Sequence, residues 1–156
     1  MRIIVISDSH GRWSNVVEAI DNEPSAEVVY FLGDGVRDYE DAQSIHAGSK
    51  AFIGVRGNCD MYCDLPFKDI RTLENKKIYA THGHCEHVKY GIEELKHLAR
   101  KEGCDIVLYG HTHEALSTYE DGLYIFNPGT MKYGQYGVID ITPNGIICFN
   151  KYLSSY

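Results

Sequence analysis

Apolar residues run in short blocks along this chain, and each block ends abruptly at a glycine or a polar residue. Ile3 to Ile6 is a continuous β-branched run, and Val28 to Leu32 and Ala51 to Val55 repeat the pattern. Runs of this kind predict strands buried on both faces of a sheet. Between the first two, Val16, Val17 and Ile20 fall on one helical face. Ser14 is a capping residue type before them, and Pro24 closes the segment. A weaker helical pattern covers Tyr39 to His46. Strand–helix alternation predicts a parallel sheet whose loops collect along one edge.

Beyond residue 60 the pattern changes. Leu65 to Leu73 and Lys77 to Ala80 predict two strands around a Glu74-Asn75-Lys76 turn. Ile92, Leu95, Leu98 and Ala99 mark one face of a helix that Gly103 follows, and Ile106 to Tyr109 predicts another buried strand. Asp121-Gly122 and Asn144-Gly145 are two-residue hairpin signals between strand-like segments. The expectation is a single α/β domain over residues 1–156 with two sheets, one largely parallel and the other largely antiparallel.

Composition narrows the partners. The formal net charge of -7 is wrong for a protein that coats a nucleic-acid polymer, which needs basic patches. It does not oppose a small phosphate substrate. The five cysteines are odd in number and contain no CxxC pair, which reads as reduced thiols inside a cell. The N-terminal apolar run meets Asp8 too early for a signal peptide, and no run approaches the length of a membrane span. A soluble, cytoplasmic protein without a membrane partner is expected.

Five polar fragments sit where apolar runs give out: Asp8-Ser9-His10, Gly33-Asp34, Gly57-Asn58-Cys59-Asp60, Thr81-His82-Gly83-His84 and Gly110-His111-Thr112-His113. Loops at the carboxyl ends of parallel strands converge in space although they are distant in sequence. Seven of their side chains, Asp8, His10, Asp34, Asn58, His82, His111 and His113, offer two carboxylates, one carboxamide and four imidazoles. Such a set suits Zn²⁺, Mn²⁺, Fe or similar divalent ions and is too nitrogen-rich for Ca²⁺. Asp8-x-His10 and His111-x-His113 fit extended or turn segments that project alternate side chains to one side. The flanking glycines allow sharp turns and close approach of a ligand or substrate.

The order and content of these fragments resemble the metallophosphoesterase (calcineurin-like phosphodiesterase) superfamily, whose pattern is DxH, GD, GNH[DE], H and GHxH. The match is best with its small single-domain bacterial and archaeal phosphodiesterases. The resemblance implies a four-layer α/β/β/α sandwich, two mixed sheets flanked by helices. It implies two divalent metals, one held by Asp8, His10 and His113 and the other by Asn58, His82 and His111, with Asp34 bridging. Asp34, Asn58, Cys59 and His82 would then be the catalytic positions. A hydroxide bridging the metals would attack a phosphoester, most simply a diester, in line. Mn²⁺ is the first choice of ion for a mixed His/carboxylate shell, with Zn²⁺, Fe, Ni²⁺ and Mg²⁺ as other candidates. A phosphomonoesterase and a non-catalytic scaffold, as in the retromer subunit of this fold, are the alternatives. A homo-oligomer is a further candidate state, with the tyrosines near the C-terminus at its interface.

One position departs from the broad pattern. Cys59 stands where most of the family has a histidine that contacts phosphate and helps protonate the leaving oxygen. A thiol is a poor donor to an alkoxide, so substrates with good leaving groups would be favoured; alternatively, Cys59 only shapes the pocket. His46 and His97 read as structural or solvated, and His84 and His87 as possible lining of the site. The spacing of Cys59, Cys63 and Cys85 fits no common zinc pattern. Arg12, Arg56 and Asp60 are candidates for orienting ligands, Asp60 equally for capping a turn. Asn127 and Thr130, in the Asn127-Pro128-Gly129-Thr130 turn, are weak site candidates by resemblance.

Overall fold

The computed structural model describes residues 1–154. Its first half alternates as the apolar blocks predict: β1 (Arg2–Ile6), α1 (Trp13–Asp21), β2 (Val28–Phe31), α2 (Val36–His46) and β3 (Ala51–Gly54). The second half contains β4 (Lys68–Leu73), β5 (Lys76–Thr81), α3 (Glu93–Lys101), β6 (Ile106–Leu108), β7 (Leu116–Glu120), β8 (Leu123–Asn127), β9 (Gln135–Thr142) and β10 (Gly145–Tyr152). One sheet has the order β10-β9-β1-β2-β3 and the other β4-β5-β6-β8-β7.

The division into a parallel and an antiparallel sheet does not hold. In the first sheet β1 pairs in parallel with β2 and β2 with β3, while β1–β9 and β9–β10 are antiparallel. In the second, β5–β6 and β6–β8 are parallel, and β4–β5 and β7–β8 are antiparallel. Both hairpin turns form, but they serve different sheets. Asp121-Gly122 joins β7 to β8, and Asn144 precedes β10, which returns along β9, the strand that pairs with the free edge of β1. A two-residue turn sets the pairing of its own strands. It carries no information about which distant edge the hairpin will join.

Element boundaries shift for similar reasons. Arg12, not Ser14, occupies the cap position of α1, and no side chain caps it. The second helix begins at Val36, ahead of Tyr39, because a carboxylate from residue 60 accepts the N–H groups of Gly35 and Val36. β4 begins at Lys68, since Leu65 and Pro66 belong to a loop whose Pro66 carbonyl accepts the Arg56 N–H. The turn after β4 contracts to Glu74 and Asn75, both left-handed, as a tight hairpin turn requires.

The layers follow from two-faced burial. Ile3, Val5, Val28 and Tyr30 of the first sheet meet Ile78, Ile106, Leu108 and Phe126 of the second in a central core. The opposite face of the first sheet (Ile4, Ile6, Val29, Phe31) packs on Val16 and Ile20 of α1 and Tyr39 and Ala42 of α2. The opposite face of the second (Tyr79, Val107, Ile125) packs on Leu95 and Ala99 of α3. The result is a four-layer α/β/β/α sandwich. No helix among the described residues is long and apolar enough to cross a membrane. Of the C-terminal tyrosines, Tyr152 is exposed, and Tyr156 lies outside the described residues.

Ile106 is fully buried in the central core, between the two sheets. Ile106→Ala should lower the unfolding free energy by about 2–5 kcal/mol, read from the midpoint of urea denaturation at unchanged slope.

Candidate metal centre

Seven side chains from five loops meet at one edge of the sandwich. Asp8 and His10 follow β1, Asp34 follows β2, and Asn58 follows β3, all on the first sheet. His82 follows β5, and His111 and His113 follow β6, on the second. The site therefore lies across the gap between the sheets.

Its geometry falls into two sets. His113 Nε2 lies 3.1 Å from Asp8 Oδ1, His10 Nε2 lies 3.8 Å from the same oxygen, and the two imidazole nitrogens are 3.4 Å apart. His82 Nε2 lies 3.1 Å from His111 Nδ1, 3.2 Å from Asn58 Oδ1 and 3.4 Å from Asp34 Oδ2. Ligands at about 2.1 Å around a tetrahedral ion sit roughly 3.4 Å from one another, so both sets have the spacing of atoms that share a cation. Asp34 groups with His82 and His111 and also with His10 and Cys59.

The chemistry of the atoms fits a metal as well. Asp8 is fully buried, and its Oδ1 has no hydrogen-bond partner; a buried acceptor left bare is costly unless something electropositive faces it. Its other oxygen accepts from Ser7 Oγ (2.5 Å) and the His111 N–H (3.1 Å), which fixes the carboxylate plane. His82 Nδ1 lies 2.6 Å from the Leu32 carbonyl. A carbonyl only accepts, so the proton sits on Nδ1 and the Nε2 lone pair faces the cluster. Burial alone would lower the His82 pKa, yet its bond to Asp34 and the field of Asp8 raise it. A field that draws a proton to Nε2 draws a cation to the same place. Burial alone would raise the Asp34 carboxyl, but His82 and the Cys59 N–H, 2.8 Å from Oδ1, hold it well below the usual carboxylate range. His111 is pushed down to about 4 by burial and by His82, which leaves it a neutral donor.

The backbone at these ligands is unusual. Asp8, His10, Asp34, His111 and His113 all have φ between 46° and 67°. The two x-spaced pairs are thus left-handed turns and not extended segments. Non-glycine residues rarely adopt this region, and such strain gathers at functional sites. Gly11, Gly33 and Gly83 have positive φ, as the expected sharp turns require. A Cβ on Gly57 would lie 2.1 Å from Asp34 Oδ1, and one on Gly33 would lie 2.5 Å from the Gly57 N. They let one site loop lie against another.

Of the supports behind these ligands, Asp38 escaped the sequence. Asp60 performs both roles open to it. Its Oδ2 accepts the N–H groups of Asp34 and Gly57, and its Oδ1 those of Gly35 and Val36, at 2.7–2.9 Å. Asp38, inside α2, accepts from Ser9 Oγ (2.6 Å) and the Gly11 N–H (2.9 Å) and so holds the Asp8–Gly11 loop. Only an i,i+29 contact reveals it. Asn127 and Thr130 are buried behind the site: Asn127 Nδ2 donates to the Gly110 carbonyl and Thr112 Oγ1, and Thr130 Oγ1 donates to the Asp8 carbonyl. Arg56 donates to the Asp60 carbonyl and lies over the Phe67 ring. Arg12 is exposed at the start of α1 and touches no ligand. The His84 ring lies 5.4 Å from that of His82 but joins no ligand grouping, and His87 is exposed. His46 bridges to Asp21 between α1 and α2. Among the described residues, neither Cys63 nor Cys85 joins a metal-type cluster. Cys59 is exposed, and partial burial of its sulfur together with the Asp34 carboxylate pushes its thiol up to about 11.

An α/β/β/α sandwich with this donor set at its loop edge defines a metal-dependent phosphoesterase. Residues 1–141 match the model of the calcineurin-like phosphoesterase superfamily domain, and the chain belongs to that superfamily. It is 30% identical to Phosphodiesterase MJ0936 of Methanocaldococcus jannaschii, over 83% of each chain. A predicted phosphoesterase from Streptococcus pneumoniae superposes with a TM-score of 0.76 at 25% identity, covering 96% of this chain and 97% of that one. A Vps29 variant from Entamoeba histolytica has the same fold, with a TM-score of 0.75 at 20% identity over 99% and 100% of the chains.

Asp60→Ala should cost about 1–3 kcal/mol of stability, because buried N–H groups lose their acceptor. It should also weaken metal binding about 10–100-fold, as loss of a supporting group does, measured by competition with a chromogenic chelator.

Proposed function

We propose that this chain, acting as one cytoplasmic domain, is a two-metal phosphodiesterase that prefers esters with good leaving groups. The observation that carries this reading is the position of Asp34, whose carboxylate is within reach of both ligand sets. Asp8, His10 and His113 would hold one divalent ion, and Asn58, His82 and His111 the other, with Asp34 common to both. Two such ions, Mn²⁺ first among them, would supply a water of lowered pKa and neutralise charge on the phosphate oxygens.

The protein's own groups define what surrounds that chemistry. Neutral imidazoles and a carboxamide fill most ligand positions, so the centre keeps a net positive field for an anionic ester. His82 is held by Leu32 at Nδ1, which keeps Nε2 aimed inward and prevents the ring from turning. Cys59 places its thiol at the mouth of the site, with its backbone N–H committed to Asp34. A thiol gives little help to an alkoxide, whereas a phenolate leaves unassisted. The identity of MJ0936 as a phosphodiesterase supports a diester over a monoester.

Chelation should abolish turnover of bis(p-nitrophenyl) phosphate, and Mn²⁺ should restore it. Asp34→Ala should reduce kcat/KM more than about a hundredfold, beyond the cost of losing a supporting group. Turnover absent from protein that demonstrably holds metal would favour a scaffold, and faster hydrolysis of the monoester than of the diester would reassign the substrate. Cys59→His should raise activity on alkyl esters more than on aryl esters; equal changes would reduce Cys59 to a shaping role.

A further inference from the structure

A cavity of 430 Å³ opens beside the metal centre, sharing His10 and Asp34 with it and lined also by Cys59, Val36, Arg37 and Met61. This volume lies in the range of small-molecule pockets and holds a group of sugar or aryl size. Val36 and Met61 give it an apolar wall, and Met61 is 69% exposed, an adaptable side chain free to follow a ligand. Arg37 is exposed and makes no hydrogen bond or ion pair among the described residues.

The charges around this cavity are not what a count suggests. Two further carboxylates line it, Asp38 and Asp60. Both oxygens of Asp60 are occupied by four backbone N–H groups, and Asp38 Oδ2 by Ser9 Oγ and the Gly11 N–H. Both residues are buried. Arg37 is exposed and stands in the first turn of α2, where a cation opposes the helix dipole. The amides at that helix start are already taken by Asp60, so an anion in the cavity would find Arg37 and not the backbone.

Resting on the phosphodiesterase reading, we propose that this cavity binds one arm of the diester, and that the arm carries a second anionic group, such as a carboxylate or phosphate, paired with Arg37. The apolar body of the arm lies against Val36 and Met61 while its phosphodiester reaches the metals. Arg37 is a specificity determinant that does not touch the reacting atoms.

Three p-nitrophenyl aryl phosphates separate this from the parent reading, because they share a leaving group and differ only in the second arm: phenyl, 4-carboxyphenyl and 4-(trimethylammonio)phenyl. Metal-loaded wild-type protein should prefer the carboxylate arm, mainly through KM. Arg37→Ala should cut the carboxylate-to-phenyl ratio of kcat/KM about tenfold, the scale of one charge-assisted bond. Arg37→Glu should move the preference to the cationic arm. An unchanged ratio in Arg37→Ala, or a wild-type preference for the cation, would overturn the proposal while leaving the phosphodiesterase intact. Should no diester turn over, the same three compounds are titrated calorimetrically into metal-loaded protein. The same ratio of dissociation constants is then expected, and its absence counts equally against the subsite.

Discussion

The hydrogen bond from His82 Nδ1 to the Leu32 carbonyl joins the two sheets at the edge where the site forms. Apolar contact between the sheets is strong but non-directional, and it tolerates small slides. A 2.6 Å bond from the end of β5 to the end of β2 does not. It sets how far apart the two families of loops lie. It also settles which nitrogen of His82 faces inward, so one contact decides both tertiary register and ligand chemistry. The His111 N–H donating to Asp8 Oδ2 does the same between β6 and β1. Gly110 can have no side chain because Ser7 Oγ would lie 1.9 Å from its Cβ.

Much of this was legible before any coordinates. Strands buried on both faces announce themselves as apolar runs, as β1, β2 and β6 do, while β3 and β5 are buried only towards their carboxyl ends. The ligand fragments are legible because each is short, polar and terminates one of them. The sheet assignment of β9 was not, since its partner β1 lies more than a hundred residues away and local turn chemistry is silent about it. The same holds for Asp38, an ordinary acidic residue in sequence that becomes a structural post only through groups contributed by another segment; Asp60 was a candidate because it follows Asn58 in the same fragment. The left-handed backbone of Asp8, His10, His111 and His113 was missed because DxH and HxH read equally well as extended segments. A histidine gives no local sign of positive φ; glycine does.

The supports and the ligands divide the physical work. Asp60, Asp38, Asn127 and Thr130 are buried and bonded mostly to backbone. They hold peptide groups in place, and the peptide groups hold the ligands. This arrangement keeps Asp60 from competing for a cation, because both of its oxygens already accept backbone N–H groups.

The left-handed ligands bear on how such a protein drifts over generations. A non-glycine residue in that conformation carries local strain, of order 1 kcal/mol or more, that the rest of the molecule must offset. Replacing His10 or His113 by glycine or asparagine would relax the backbone while deleting a donor. Erosion of the chemistry therefore runs downhill in folding free energy, and only selection for activity opposes it. A lineage released from that selection would be expected to lose His10 and His113 first and keep its sandwich, because Asp8, Asp34 and His82 also bond one loop to another.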